Sequence, residues 1–454
     1  VKMMIGIDGE WGLFQRFPAA HKFPWAMTLG AIQDNSLIYE MTSKIAEDCK
    51  RMGIYWDFAP VVDVNTNPAN PIIGNRSFGS DINNVIAKGL AYAQGLQDNG
   101  VLASMKHFPG HGDTDTDSHL DLPVVSHNLE RLNSVELAPF KALLDKKIGG
   151  VMVAHLYVPA LEKQSGIPAS VSYDIITNLL KKSYQYNGLI ITDALNMNAV
   201  AKKFPAGELD LRAFKAGNDI MLFSQDVPNG KALIKSALEK GEISENRLAE
   251  SVKKILKTKY LLGLQNLKSI NSENINEDLN NASHAELSEK LYSNAITLLK
   301  DEKNLLPLSC SETYYYLPLE EAPFQTFVEN LNLGTTVKVI SKTEIAQIPE
   351  NSTVIVGFHK DNSTAYKSYK ISQESKDILA ELSKKQNVIL DVFGSPYALK
   401  DVDISKISTV LVSYENNDLS MKASAKALLG KTKISGKLPV IVNENLKAGS
   451  GIEK

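Results

Sequence analysis

The sequence predicts an α/β chain in two domains, a (β/α)8 TIM-type barrel followed by an α/β sandwich. Three observations carry this. Through residue 262, short apolar runs alternate with amphipathic helical stretches, the pattern of parallel strands joined by crossover helices. Those runs end in polar, titratable residues, as barrel strands do on the face that carries chemistry. Past residue 262 a polar break precedes a second, shorter round of the same alternation.

In chain order, strand candidates lie at 3–8, 55–63, 102–107, 150–155, 188–193 and 219–223, each ending in loop signals. Helical periodicity lies between most of them, for instance at 84–97 and 174–184. Six strands are legible, whereas a closed barrel of this type has eight. The domain at 1–262 is therefore expected to be an N-terminally incomplete barrel, with another strand absent or too irregular for pattern reading. Residues 263–283 read as a linker, rich in Asn and Ser with few apolar residues. Ser283 and Glu286 then have the spacing of a capping box at a helix start. Within 284–454, strands are expected at 353–357, 388–393, 409–413 and 438–442, with helices at 375–384 and 423–429, the pattern of an open α/β sandwich.

Composition excludes several classes. The 454 residues are 43% hydrophobic, enough for sizeable cores, and the net charge of −3 has well-mixed signs. No basic surface is implied, so no nucleic-acid partner is expected. The two cysteines, Cys49 and Cys310, lie far apart and make no disulfide framework. No apolar run approaches the length of a membrane span. The opening residues lead straight into a strand pattern and do not read as a signal peptide.

The segment KHFPGHGDTDTDSHLDLP (106–123) is the densest in chemistry, with His107, His111 and His119 among Asp113, Asp115 and Asp117. Pro109, Gly110 and Gly112 make the part after His107 an ordered loop at a strand end, where active sites are placed. A calcium loop of the EF-hand kind is excluded, because its required Gly and Glu positions hold Ser118 and Val124. A zinc or iron site has ligands here but neither an HExxH helix nor a cysteine pair to fix geometry. The third reading is acid–base catalysis, with Asp117 polarising the imidazole of His119. Asp8, Lys106, His107, His155 and Asp193 fall at or just beyond other strand ends, and Arg76 lies on the loop after Asp63. For His155 and Asp63 a structural role at the strand end competes with a role in the site.

The segment resembles the signature of glycoside hydrolase family 3, in its β-N-acetylglucosaminidase branch, which carries KHFPGHG followed by an Asp-Ser-His dyad. IGIDGEWG (5–12), FAPVVDVN (58–65), NRSFGSD (75–81), VMVAHL (151–156) and ITDALNM (191–197) resemble family blocks in the family's order. NAITLLKDEKNLLPL (294–308) is similar to the entry into the family's second domain, and FGSPYAL (393–399) and GKLPVIV (436–442) match more loosely. The resemblance implies a retaining exo-β-N-acetylglucosaminidase. Asp193 would be the nucleophile and His119, paired with Asp117, the acid/base. Asp8, Arg16, Arg76, Lys106, His107 and His155 would bind the carbohydrate substrate, terminal β-linked N-acetylglucosamine of muropeptide or peptidoglycan fragments. It implies no metal and no cofactor. A β-glucosidase, a glycoside phosphorylase and an inactive sugar-binding relative remain as alternatives. Export is favoured over a cytoplasmic location, because two-domain members of the family are often exported.

Overall fold

The computed structural model describes residues 2–115, 122–267, 269–361, 364 and 367–454. By internal contacts the chain forms two units. One comprises Val1–Phe23, Ser36–Ser77 and Ile82–Asn281, and the other Pro24–Asn35, Phe78–Asp81 and Ala282–Lys454.

In the first unit, five strands pair in chain order with every neighbour parallel: β1 (Gly6–Ile7), β2 (Trp56–Asp57), β3 (Leu102–Phe108), β4 (Gly150–Val153) and β5 (Leu189–Thr192). Parallel neighbours need a crossover. Helices Ser36–Arg51, Ile82–Asp98 and Ala138–Leu144, and the wide-turned Asp174–Ser183, supply them in succession. β3, β4 and β5 are buried at every residue, which is why β4 and β5 read as near-continuous apolar runs rather than alternating ones, while β3 runs on into the buried polar residues Lys106 and His107. Trp56, Phe58, Leu102, Met152, Leu189 and Ile191 fill the inner face, where the Trp56 indole donates to Ser104 Oγ at 2.7 Å. This is a TIM-type α/β arrangement.

Three local expectations are corrected. Residues 219–223 form no strand, only a bridge between Ile220 and Ile191. There the amide of Ile190 donates to Asp219 Oδ2 at 3.1 Å, and Phe223 turns the chain with φ +48. The stretch Asp174–Ser183, expected as an ordinary amphipathic helix, is a π-helix. Residues 263–283 are not featureless: they hold Leu264–Asn266 and Ile275–Leu279 as short helical turns, and the next helix begins at Ala282, which puts Ser283 inside its first turn. No helix among the described residues is long and apolar enough to cross a membrane.

The second unit has a six-stranded sheet of β6 (Thr297–Asp301), β7 (Thr313–Leu319), β8 (Thr336–Val339), β9 (Thr353–His359), β10 (Asn387–Phe393) and β11 (Thr409–Val412). The order is β6-β11-β10-β9-β7-β8, parallel except for β6 against β11. Helices Gln325–Leu331 and Asp418–Leu428 cover a core that includes Tyr316, Phe327, Ile355, Ile389, Phe393 and Leu411. The strand expected at 438–442 is absent. Pro439 has no amide to give a ladder, its carbonyl accepts from the Ser80 amide, and the Val442 amide turns back to Leu446.

Candidate active site

Four charged groups meet just beyond β1 and along β3. Lys106 is 1% exposed, and its ammonium lies 3.0 Å from Asp8 Oδ1 and 2.8 Å from Glu10 Oε1. Arg76 grips Glu10 with both arms, Nη2 to Oε1 at 2.7 Å and Nε to Oε2 at 2.9 Å, the strong fork geometry of guanidinium and carboxylate. The other oxygen of Asp8 takes Arg16 Nη2 at 2.5 Å, and Arg16 itself is exposed. Burial works against charge here, yet the neighbours prevail. Desolvation pushes Glu10 and Asp8 up, but Arg76 and Lys106 hold Glu10, and Lys106 and Arg16 hold Asp8, below the ordinary carboxylate range.

Next along β3, the strand register shifts between Met105 and Phe108, a bulge that re-aims the side chains between them. His107 Nδ1 donates to Asp63 Oδ2 at 2.7 Å. Its Nε2 lies 3.2 Å from Arg76 Nη2, and since a guanidinium only donates, Nε2 is the accepting nitrogen. Asp63 is fully buried and also accepts from the amides of His107 and His111, the latter at 2.7 Å. Burial raises its pKa, but the His107 ring and these hydrogen bonds bring it below the usual value. His111, buried and bonded through Nδ1 to Thr114 Oγ1 at 2.8 Å, is pushed down to about 4 by desolvation and by His107, so it is neutral at pH 7. Asp63 therefore organises the turn that carries both histidines.

Asp193 follows β5 directly. Its amide donates to the Val153 carbonyl at 2.8 Å, which continues the ladder by one residue and fixes where the side chain emerges. Among the described residues the carboxylate has one hydrogen bond, from the Ala194 amide at 2.8 Å, and it is partly exposed. Desolvation raises its pKa, but the fields of His155, His107 and Lys106 outweigh this and lower it. An ionised carboxylate that, among the described residues, has no cation clamped on it is suited to nucleophilic attack on an electrophilic carbon.

Of the residues expected in the site, Asp8, Arg16, Arg76, Lys106 and His107 join one hydrogen-bonded network. His155 stands apart from this network. It is fully buried, with Nδ1 2.8 Å from Ser170 Oγ and Nε2 3.0 Å from the Ala194 carbonyl, so it holds the peptide that follows Asp193. Asp117 and His119 lie outside the described residues. Two carboxylates were not singled out from sequence. Glu10 sits two residues past Asp8 inside IGIDGEWG, and its role emerges only from Arg76, sixty-six positions away. Asp57, at the end of β2, is fully buried and accepts the Gly9 amide at 2.9 Å, which anchors the same loop from below.

The chain matches the model of the glycosyl hydrolase family 3 N terminal domain over residues 1–258. Beta-hexosaminidase A of Pseudoalteromonas piscicida is 32% identical over 97% of this chain and 83% of its own length. A beta-N-acetylglucosaminidase/beta-glucosidase of Cellulomonas fimi is 28% identical over 68% of this chain and 56% of its own length. Among solved structures, a glycoside hydrolase family 3 beta-N-acetylglucosaminidase from Paenibacillus sp. str. FPU-7 is 31% identical with a TM-score of 0.78, covering 98% of this chain and 87% of that one. The family match and these relatives place the chain among the glycoside hydrolases. The chain belongs to glycosyl hydrolase family 3 and is a glycosidase.

Proposed function

We propose that this chain is a retaining exo-β-N-acetylglucosaminidase that removes terminal β-linked N-acetylglucosamine, with peptidoglycan or muropeptide fragments as its natural source. The observation that carries the reading is Asp193, an ionised and partly exposed carboxylate at a strand end beside the Asp8–Lys106–Glu10–Arg76 network. The substrate sugar is inferred from the relatives named above.

In the first half-reaction a carboxylate oxygen of Asp193 bonds to the anomeric carbon while the bond to the aglycone oxygen breaks, and that oxygen takes a proton from the acid. We assign the acid to His119, with Asp117 as its partner. In the second half, His119 takes a proton from water, the water oxygen bonds to the anomeric carbon, and the glycosyl–Asp193 ester breaks. Asp8 accepts from sugar hydroxyls, and Lys106, Arg76 and the His107 ring hold their far side. Binding energy of this kind keeps the anomeric carbon against Asp193. Because these charges are already paired with each other, little reorganisation is needed when the sugar arrives.

The test is the ratio of kcat/KM for chromogenic N-acetyl-β-glucosaminide and β-glucoside, each with and without inorganic phosphate. The N-acetyl sugar should be preferred, with free sugar as product and no phosphate stimulation. Equal or greater kcat/KM on the glucoside, or a sugar 1-phosphate product, would overturn the assignment.

A further inference from the structure

Asp113, His127 and Glu136 stand together in the first unit, and none of the three has a part in the proposed mechanism. One ligand atom from each lies within 4.8 Å of the other two. Asp113 follows Gly112 in the loop after β3. His127 precedes the helix Leu129–Ser134, and Glu136 lies between that helix and Ala138–Leu144. His127 Nε2 is 2.8 Å from Asp113 Oδ2.

Glu136 is the informative member. It is 4% exposed, with Oε1 held by Arg131 through Nε at 3.2 Å and Nη2 at 3.1 Å. Its other oxygen, Oε2, is buried and among the described residues has no hydrogen-bond partner. A buried carboxylate oxygen left bare is costly, and such exceptions call for a partner. Arg131 does not complete the balance, since its one positive charge faces two carboxylates and it stands 3.7 Å from Asp113 Oδ2. The position of Glu136 is also enforced: Gly110 has φ +129, and a Cβ there would come within 2.8 Å of Glu136 Cβ.

We propose that Asp113, His127 and Glu136 form a binding site for a divalent transition-metal ion, zinc by preference. One imidazole nitrogen with two carboxylates suits zinc, whereas calcium and magnesium take oxygen ligands throughout. Zinc bound at about 2.0–2.1 Å places neighbouring ligand atoms about 3.3 Å apart, so the three side chains close by small rotations only. Bare Oε2 of Glu136 gains its partner, and the His127–Asp113 hydrogen bond is replaced by two bonds to the ion. Arg131 stays on Oε1 as the outer group that orients this ligand. Three protein ligands leave a fourth position for water, and the partial exposure of Asp113 and His127 gives the ion its route in.

The test titrates zinc chloride into the chelator-treated full chain by calorimetry, with Co2+ absorption as the coordination readout. One ion per chain should bind at micromolar free zinc, raise Tm, and give the visible bands of a four- or five-coordinate cobalt site. H127Q and E136Q should each weaken binding about tenfold or more, while Tm measured in chelator stays near the parent value for H127Q. H119A should bind as the parent does. Absence of zinc binding, or binding undiminished in H127Q and E136Q, would overturn the proposal, as would binding lost in H119A alone.

Discussion

At the scale of single residues, the site is a set of carboxylates whose fates differ with their neighbours. Glu10 and Asp8 are ionised because cations sit on them, and Asp193 is ionised by more distant fields. Asp57 is the opposite case. Burial, which outweighs the Gly9 amide and Lys106, pushes it up to about 7. Its folded pKa lies above its unfolded one, so it stabilises the fold fully below about pH 4, and this contribution fades as pH rises through about 7. The full effect is roughly 4 kcal/mol at most. Asp57→Asn keeps the acceptor for Gly9 and removes the titration, so Tm should fall less between pH 5 and 8 in the variant than in the parent; identical pH profiles would contradict this. His119→Ala should cost about 10²- to 10⁴-fold on alkyl or sugar leaving groups and much less on acidic phenols, which depart without protonation. Steady-state rates across a leaving-group series check it, and a uniform loss would place the acid elsewhere. Asp8, Lys106, His107 and Asp193 were legible as candidates because each follows an apolar run, where a titratable side chain stands out. Glu10 was not, since nothing local distinguishes it from Asp8 as the residue that Arg76 grips.

At the scale of elements, the crossover helices were legible from their period and the strands from their apolar runs. Expected strands shrank where side chains displaced the ladder, as Asp219 does at the Ile190 amide. β8 escaped notice because only Val337 in it is buried, so it has little pattern to show. Helix Ile82–Asp98 lies against Ser36–Arg51 through Gly95, where a Cβ would come 1.9 Å from Thr42 Oγ1 and 2.5 Å from the Tyr39 carbonyl. Gly95→Ala gains about 1 kcal/mol of helix propensity but forces the helices apart, at about 1–3 kcal/mol or more. The clash with a backbone carbonyl cannot be relieved by a rotamer change, so the net effect is destabilising. Thermal unfolding should show a lowered Tm for this variant, and an unchanged or raised Tm would mean that the contact is not as close as described.

For the whole molecule, alternation of strand and helix gave away the α/β class, and the polar stretch after 262 marked a change of character. Long-range membership was hidden. Residues Pro24–Asn35 and Phe78–Asp81 pack with the second unit. There the Trp25 amide and the Thr28 hydroxyl both donate to Glu415 Oε1, at 2.9 and 2.8 Å, and the Ile441 amide donates to Ser80 Oγ at 2.9 Å. No local pattern encodes a partner 390 positions away. The catalytic proposal depends on such convergence too, because Asp193 would act on a sugar held by Asp8 beyond β1, Lys106 and His107 of β3, and Arg76 of the turn Gly74–Arg76. Its most direct test is capture of the intermediate. The chain is incubated with a 5-fluoro-N-acetyl-β-glucosaminyl fluoride, which slows hydrolysis of the glycosyl–enzyme, then digested and mapped by mass spectrometry. The adduct should sit on the peptide containing Asp193 and be missing in Asp193→Asn. An adduct on another carboxylate, or release of the α-anomer from the natural β-linked sugar, would contradict the account.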